Sequence, residues 1–229
     1  ASIGKLAGGI AHEVNSPLGA ILTSAQSIKM DADYVEQEEE KESIKEGIAI
    51  IETAVRKVRD IISKLLIFTN KGGERKEVVK LSEILSAVTE DIREQSLAEG
   101  IKIEEQITEG ILIEGSGLEL TQAVKGIMVN AKDAVIKKQH KDKLIKIELF
   151  TETNDDKKTA VIVIEDNGTG IKEIDKGRLF DPFFTTKDVG KGLGLNLSVG
   201  REIIKKHNGT IEFESTEGIG TKFRIILEI

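Results

Sequence analysis

Along the first third of the chain, apolar residues return at alternating spacings of four and three. Ile3, Ala7, Ile10, Val14, Pro17, Ile21, Ser24 and Ile28 mark one such seam. Ile44, Ile48, Ile51, Val55, Val58, Ile62 and Leu65 mark a second, with charged residues between them. That period belongs to helices packed in a coiled coil or bundle. The stretch 31–42 between the seams is short, so the two predicted helices form an antiparallel hairpin. Leu6, Leu18, Leu22, Ala54, Ile61 and Leu66 widen the apolar face beyond what one neighbouring helix covers. A second copy completing a four-helix bundle is the economical solution. Pro17 lacks a backbone donor and predicts a kink in the first helix.

At Asn70-Lys71-Gly72-Gly73-Glu74 the helical period stops, which predicts a linker between a hairpin over 1–70 and a second domain over 74–229. In that second part the pattern is mixed. An amphipathic helix is predicted over 81–97, short strands over 101–107 and 111–114, and a helix over 117–138. Alternating runs at 144–150 and 160–165 flank a hairpin turn at Asn154-Asp155-Asp156-Lys157-Lys158. A helix over 195–207 and strands over 210–214 and 221–229 close the chain. The fold class expected is α+β, a helical hairpin followed by one mixed sheet with helices on a single face. No internal repeat or low-complexity segment interrupts it.

A length of 229 residues suits two domains. The chain has no Cys and no Trp, so disulfides and thiolate metal sites are excluded and a reducing compartment fits. The net charge of -7, with no compensating basic stretch, argues against a nucleic-acid partner. The acidic run at 36–40 reads as a solvated turn and helix start. No stretch reaches the roughly 18 consecutive apolar residues of a membrane span, and Ala1-Ser2-Ile3 does not open a signal peptide. The expectation is a soluble piece of a longer protein, cytoplasmic and without membrane contact of its own, the intact protein being open to a membrane anchor.

Five stretches carry residue types with chemistry. In Gly8-Gly9-Ile10-Ala11-His12-Glu13-Val14-Asn15-Ser16-Pro17-Leu18, an imidazole off the apolar seam stands beside a carboxylate. A neutral imidazole nitrogen is a nucleophile at physiological pH, and Glu13 can accept its other N–H and take up charge as an electrophile is attacked. On its own such a histidine is more often merely solvated. Asn130-Ala131-Lys132-Asp133-Ala134 puts an amide on the 117–138 helix. Its oxygen can coordinate Mg²⁺ while phosphates supply the charge, although a single Asn is more often a surface or capping residue. Asp166-Asn167-Gly168-Thr169-Gly170 follows a strand. There a carboxylate can accept an exocyclic amine, and glycines let backbone approach a flat base. Leu179-Phe180-Asp181-Pro182-Phe183-Phe184-Thr185-Thr186-Lys187 gathers three of the seven Phe residues and reads as a hydrophobic plug or a phosphate-side flap. Gly190-Lys191-Gly192-Leu193-Gly194-Leu195 opens a helix, a ready anion site, but no strand precedes it as a dinucleotide fold would require. Gly218-Ile219-Gly220-Thr221 adds a tight turn before the last strand.

In this order and spacing the motifs resemble those of the sensor histidine kinases of two-component systems. His12-Glu13-x-x-x-Pro17-Leu18 is similar to the H box and Asn130-Ala-x-Asp133-Ala134 to the N box. Asp166-x-Gly168-x-Gly170 is similar to the G1 box, Phe180-x-Pro182-Phe183-Phe184 to the F box, and Gly190-x-Gly192-Leu193-Gly194-Leu195 to the G2 box. The resemblance covers essentially the whole chain. It implies a dimerisation and histidine-phosphotransfer hairpin and a catalytic α/β sandwich of the Bergerat ATP-binding fold. It also implies that His12 accepts the γ-phosphoryl group of ATP, Glu13 assists as base, Asn130 holds Mg²⁺ and Asp166 reads adenine. Residues 183–195 would form a short ATP lid. Nucleotide contacts are then expected from Asn130, Asp133, Lys137, Asp166, Gly168, Gly170, Phe180, Thr186, Lys187, Gly190, Lys191, Gly192, Leu193, Gly194, Leu195 and Thr221. The implied partners are a second copy of the chain and a response-regulator receiver domain.

Three positions depart from the family pattern. Ser16 stands where these kinases usually carry Thr, Asn or Gln to orient a water for dephosphorylation. Asp133 stands where some carry a Lys or Arg, which leaves Lys137, Lys138 or Lys187 to supply the cation near the phosphates. Lys191 replaces a small or apolar lid residue. Two other classes compete with the kinase: an ATP-hydrolysing clamp of the same fold, and a silent scaffold that only dimerises. The clamp needs a glutamate facing the Asn130 site, and Glu119 lies far upstream on the helix.

Overall fold

The computed structural model describes residues 18–19, 21–30, 32, 34–35, 37–67, 77–96, 99–154, 157–187 and 194–229. The chain separates into two compact units, Ala1–Lys71 and Gly72–Ile229. Among the described residues no helix is long and apolar enough to cross a membrane.

In the first unit, residues 21–30 form helix α1 and Glu38–Ile67 form α2. Leu18, Val55 and Ile62 make a buried cluster with Leu22 and Val58 packed against it. Ala25, Ala32 and Ile48 are buried as well. The buried positions of α2, Ile48, Val55 and Ile62, recur every seventh residue, which is one position of a heptad rather than two. Of the other predicted seam residues, Ile21 is 48% exposed, Ile28 51% and Ile51 39%, and Ile50 beside them is 70% exposed. The seam read from the sequence therefore divides into a stripe turned inward and a stripe left open, because one neighbouring helix covers only part of so wide an apolar face. Ile3, Ala7, Ile10, Val14 and Pro17 lie outside the described residues, as do the side chains of Ile61, Leu65 and Leu66.

The second unit runs β1 (Glu77–Lys80), α3 (Leu81–Ser96), β2 (Lys102–Ile107), β3 (Leu112–Gly115), α4 (Gly117–Lys138), β4 (Leu144–Asn154), β5 (Lys157–Asp166), α5 (Glu173–Lys176), α6 (Asn196–Lys206), β6 (Thr210–Thr216) and β7 (Gly220–Glu228). Five strands form a sheet in the order β2-β4-β5-β7-β6. The β2–β4 pair is parallel and the others antiparallel, so the sheet is mixed. β3 does not join it. It pairs antiparallel with β1 in a small second sheet, an element the sequence pattern does not announce because Glu-Val-Val-Lys is too short to show a period.

Strand β5 sits at the middle of the order, and Ala160, Val161, Ile162, Val163 and Ile164 are all buried, as a central strand requires. On β7 burial alternates: Thr221, Phe223, Ile225 and Leu227 are buried and Lys222, Arg224 and Ile226 are not. Helices α3, α4 and α6 pack on the sheet and on one another, placing the core between them and the inward rows of the strands. The outward face carries a cross-strand row of alternating charge, Glu104, Lys146, Glu165, Lys222 and Glu214, in which each neighbour has the opposite sign. Arg224 beside it reaches the Glu152 carboxylate at 3.0 and 3.2 Å.

Helix α4 is fixed at its start. Ser116 caps it by accepting the Glu119 N–H at 3.2 Å, while its own N–H donates to His207 Nε2 at 2.9 Å. His207 Nδ1 lies 2.8 Å from the Ile203 carbonyl, so the proton sits on Nδ1 and Nε2 accepts. Lys206 pairs with Glu119 at 3.1 Å. The β3–α4 junction is thus bolted to the end of α6, and α4 delivers Asn130 and Asp133 from a fixed start.

Candidate nucleotide site

Asp166 ends β5, in register with Ile145 on one side and Thr221 on the other. It is 6% exposed, and its Oδ1 accepts the Gly168 N–H at 2.8 Å. Burial pushes its carboxyl up to about 6, against the pull of the Gly168 and Thr221 backbone and of the Lys138 charge, with Glu165 adding to the rise. The Thr221 hydroxyl lies 2.9 Å from that of Ser215. Ser215 accepts the Ile171 N–H and donates to the Gly220 carbonyl, so Thr221 is the donor of the hydroxyl pair.

The loop after Asp166 has no room for side chains at its glycines. A Cβ on Gly168 would stand 2.6 Å from Ala134 on α4, and one on Gly170, whose φ is +62°, would stand 2.0 Å from the Thr216 carbonyl oxygen. A buried acceptor beside glycines that leave no room for side chains suits a planar group that offers an amine.

Asn130 and Asp133 lie one turn apart on α4. Lys187 Nζ is 3.4 Å from Asn130 Oδ1 and ion-paired with the Asp133 carboxylate. Amide oxygen, carboxylate and ammonium therefore converge on one spot. Among the described residues no group of three or more His, Cys, Asp or Glu could hold a metal. A divalent cation here would need most of its ligands from phosphate and water, as Mg²⁺ beside a nucleotide has. Lys137 is exposed on the last turn of α4. Lys138 directs its ammonium to the carbonyls of Asn167 and Ile219.

The phenylalanine motif divides by role. The Phe180 ring meets Phe213 edge-on at 5.9 Å and lies under the Arg201 guanidinium. Arg178 stands 4.8 Å over Phe184. Phe183 is exposed with φ at +68°, and its N–H donates to the Gly194 carbonyl at 3.1 Å. A bulky residue in that region is strained and marks a constrained loop. Thr186 is exposed, whereas Leu195 is buried in the core. Phe180 and Leu195, expected as nucleotide contacts, both take part in packing, Phe180 against Phe213 and Arg201 and Leu195 in the core. Gly190, Lys191, Gly192, Leu193, His12 and Glu13 lie outside the described residues. Ser215 and Arg201 carry no signal in the sequence; their partners come from distant elements.

A family model described as histidine kinase-, DNA gyrase B- and HSP90-like ATPase matches residues 115–229, and one described as the His Kinase A (phospho-acceptor) domain matches residues 2–74. The chain is 32% identical over 231 residues to the signal transduction histidine-protein kinase AtoS of Escherichia coli, covering all of this chain and 35% of that protein. It is 29% identical to sporulation kinase C of Bacillus subtilis, covering 98% of this chain and 49% of that one. It thus spans between about a third and a half of these two relatives. Among solved structures, the catalytic domain of histidine kinase ThkA superposes with a TM-score of 0.57 at 26% identity, over 68% of this chain and 96% of that one. Full-length ShkA in complex with AMPPNP superposes with a TM-score of 0.74 at 17% identity over 98% of this chain and 45% of that one, a likeness of fold. With both family models matched in the order in which the H-box, N-box and glycine motifs run, the chain belongs to the sensor histidine kinases of two-component systems.

Proposed function

We propose that the chain phosphorylates His12 with ATP and passes the phosphoryl group to an aspartate of a response-regulator receiver domain. The observation that carries this reading is the arrangement on one helix–loop unit. Asp166 with its bare loop provides for the base, and Asn130, Asp133 and Lys187 provide for phosphates and cation. Residues 74–229 hold the nucleotide and residues 1–70 present the histidine and pair with a second copy. Asn130 would supply an amide oxygen to Mg²⁺, and Lys187, now beside Asp133, would be within reach of a phosphate. Mg²⁺, when bound, neutralises charge on the phosphates. An imidazole nitrogen of His12 attacks the γ-phosphorus as the bond to the ADP oxygen breaks, and Glu13 accepts the other ring N–H and stabilises the cation formed.

The hydrolysing clamp is disfavoured by Glu119. It lies 11 positions before Asn130, about 16 Å along the helix, and its carboxylate is paired with Lys206. Incubation with γ-labelled ATP and Mg²⁺ tests the reading. It should yield acid-labile, base-stable label in the intact chain and none in His12→Gln. Release of phosphate without bound label would replace the kinase by the clamp.

A further inference from the structure

Lys138, the last residue of α4, spends its ammonium on two loops that are remote in sequence. It donates to the Asn167 carbonyl at 2.8 Å and to the Ile219 carbonyl at 3.2 Å. Asn167 directly follows Asp166 and is held at three more points. Its side chain donates to the Asp142 carbonyl at 2.6 Å and accepts the Leu144 N–H at 2.9 Å, and its own N–H donates to the Leu144 carbonyl. Ile219 belongs to the β6–β7 turn, whose Gly218 N–H donates to the Thr169 carbonyl at 2.8 Å. Two residues after Ile219, Thr221 stands in register with Asp166. The ammonium therefore joins the end of α4, the loop after Asp166 and the turn before β7.

We propose that Lys138 is a positioning residue for the base end of the nucleotide site, its ammonium locking the 166–170 loop to the β6–β7 turn so that the Asp166 carboxylate keeps one geometry. This rests on the reading of Asp166 as the base contact. The charged groups acting on Asp166 are Lys138 from α4 and Glu165 from its own strand, and they pull in opposite directions. Loss of the cation removes the tie from the end of α4 to the loop and the turn and also lets Asp166 keep its proton to higher pH, where it no longer presents a carboxylate to an amine.

The test uses the intact chain, with calorimetric titration of ATP and of inorganic triphosphate, each with Mg²⁺, between about pH 5 and 8. In Lys138→Met, ATP affinity at neutral pH should fall about five- to tenfold while triphosphate affinity changes less than about twofold, and the pH midpoint of ATP binding should move upward. Lys138→Arg, which keeps the charge, should return the midpoint to the wild-type value. Unchanged ATP affinity and midpoint in Lys138→Met would overturn the positioning role. So would equal losses for both ligands accompanied by a lower melting temperature, which would make Lys138 a general staple. If the wild-type chain itself binds triphosphate as tightly as ATP, the base reading of Asp166 falls first, and that outcome is distinct from the other two.

Discussion

Helix α2 has 30 residues and buries Ile48, Val55 and Ile62, whereas the 22-residue α4 buries Leu120, Ala123, Val124, Ile127, Met128, Ala131 and Val135. Both are amphipathic. The apolar stripe of α4 is met on several sides, by α3, α6 and the sheet. On α2 Ile50 and Ile51 are exposed, and on α1 Ile21 and Ile28 are exposed too. The described apolar positions of the second unit are thus met from several sides, whereas several of those described in the first are exposed. The second unit keeps a cost of a different kind. Ionising Asp166 in its buried place opposes folding.

The sharpest way to break this division of labour is His12→Gln. Labelling should vanish while ATP affinity, measured by calorimetry, stays within a few fold, since nucleophile and nucleotide belong to different units; a larger loss of affinity would end the division. Next in size is Ile51→Glu. If a second copy covers the open stripe, an unpaired charge there costs several kcal/mol, roughly 3 to 5, and light scattering at micromolar concentration should show monomers with weakened labelling. A stripe that faces only water would leave mass and melting temperature as they were.

Asp166→Asn sharpens the comparison from the other side. The carboxyl is raised from 3.8 to about 6, so the folded state binds more protons than the unfolded one between those values. The penalty is absent below about pH 4 and complete above about pH 6, where it reaches about 3 kcal/mol. The variant should therefore melt higher than wild type at pH 7 and lose that advantage near pH 4, while ATP affinity falls and triphosphate affinity holds. A lower melting temperature at pH 7 would show that the carboxylate is a structural asset. The smallest effect expected is that of His207→Leu, which removes the acceptor of the Ser116 N–H at the start of α4 for about 0.5 to 1.5 kcal/mol. Thermal melts of the intact chain should show the loss.

Much of this was readable in the chain. The helix predicted over 117–138 and α4 coincide, because Ser116 and Glu119 at one end and a lysine pair at the other bound a regular apolar stripe. The run over 160–165, read as an alternating strand, proves to be a strand, but its central place shows in the continuous burial of Ala160-Val161-Ile162-Val163-Ile164 rather than in alternation. What stayed hidden depends on the third dimension. The spacings of four and three do not say which residues meet the sister helix and which stay open, so Ile48 and Ile51 looked alike. That Phe180 and Leu195 also take part in packing is visible only once their neighbours, Phe213 and Arg201 among them, are in view. Lys138 could be read as a phosphate cation until its two carbonyl partners, 29 and 81 residues away, were in view.

The outermost strands of the large sheet, β2 and β6, carry Glu104 and Glu105 on one edge and the exposed Glu212 and Glu214 on the other. Two chains joined through their hairpins would hold their nucleotide-binding units at a local concentration on the order of millimolar. Under such crowding a bare strand edge is a template for the neighbour's edge, and pairing there would knit the two units into a continuous sheet. Carboxylates along both outer strands make such edge-to-edge pairing less favourable, since two like edges would bring acidic side chains together.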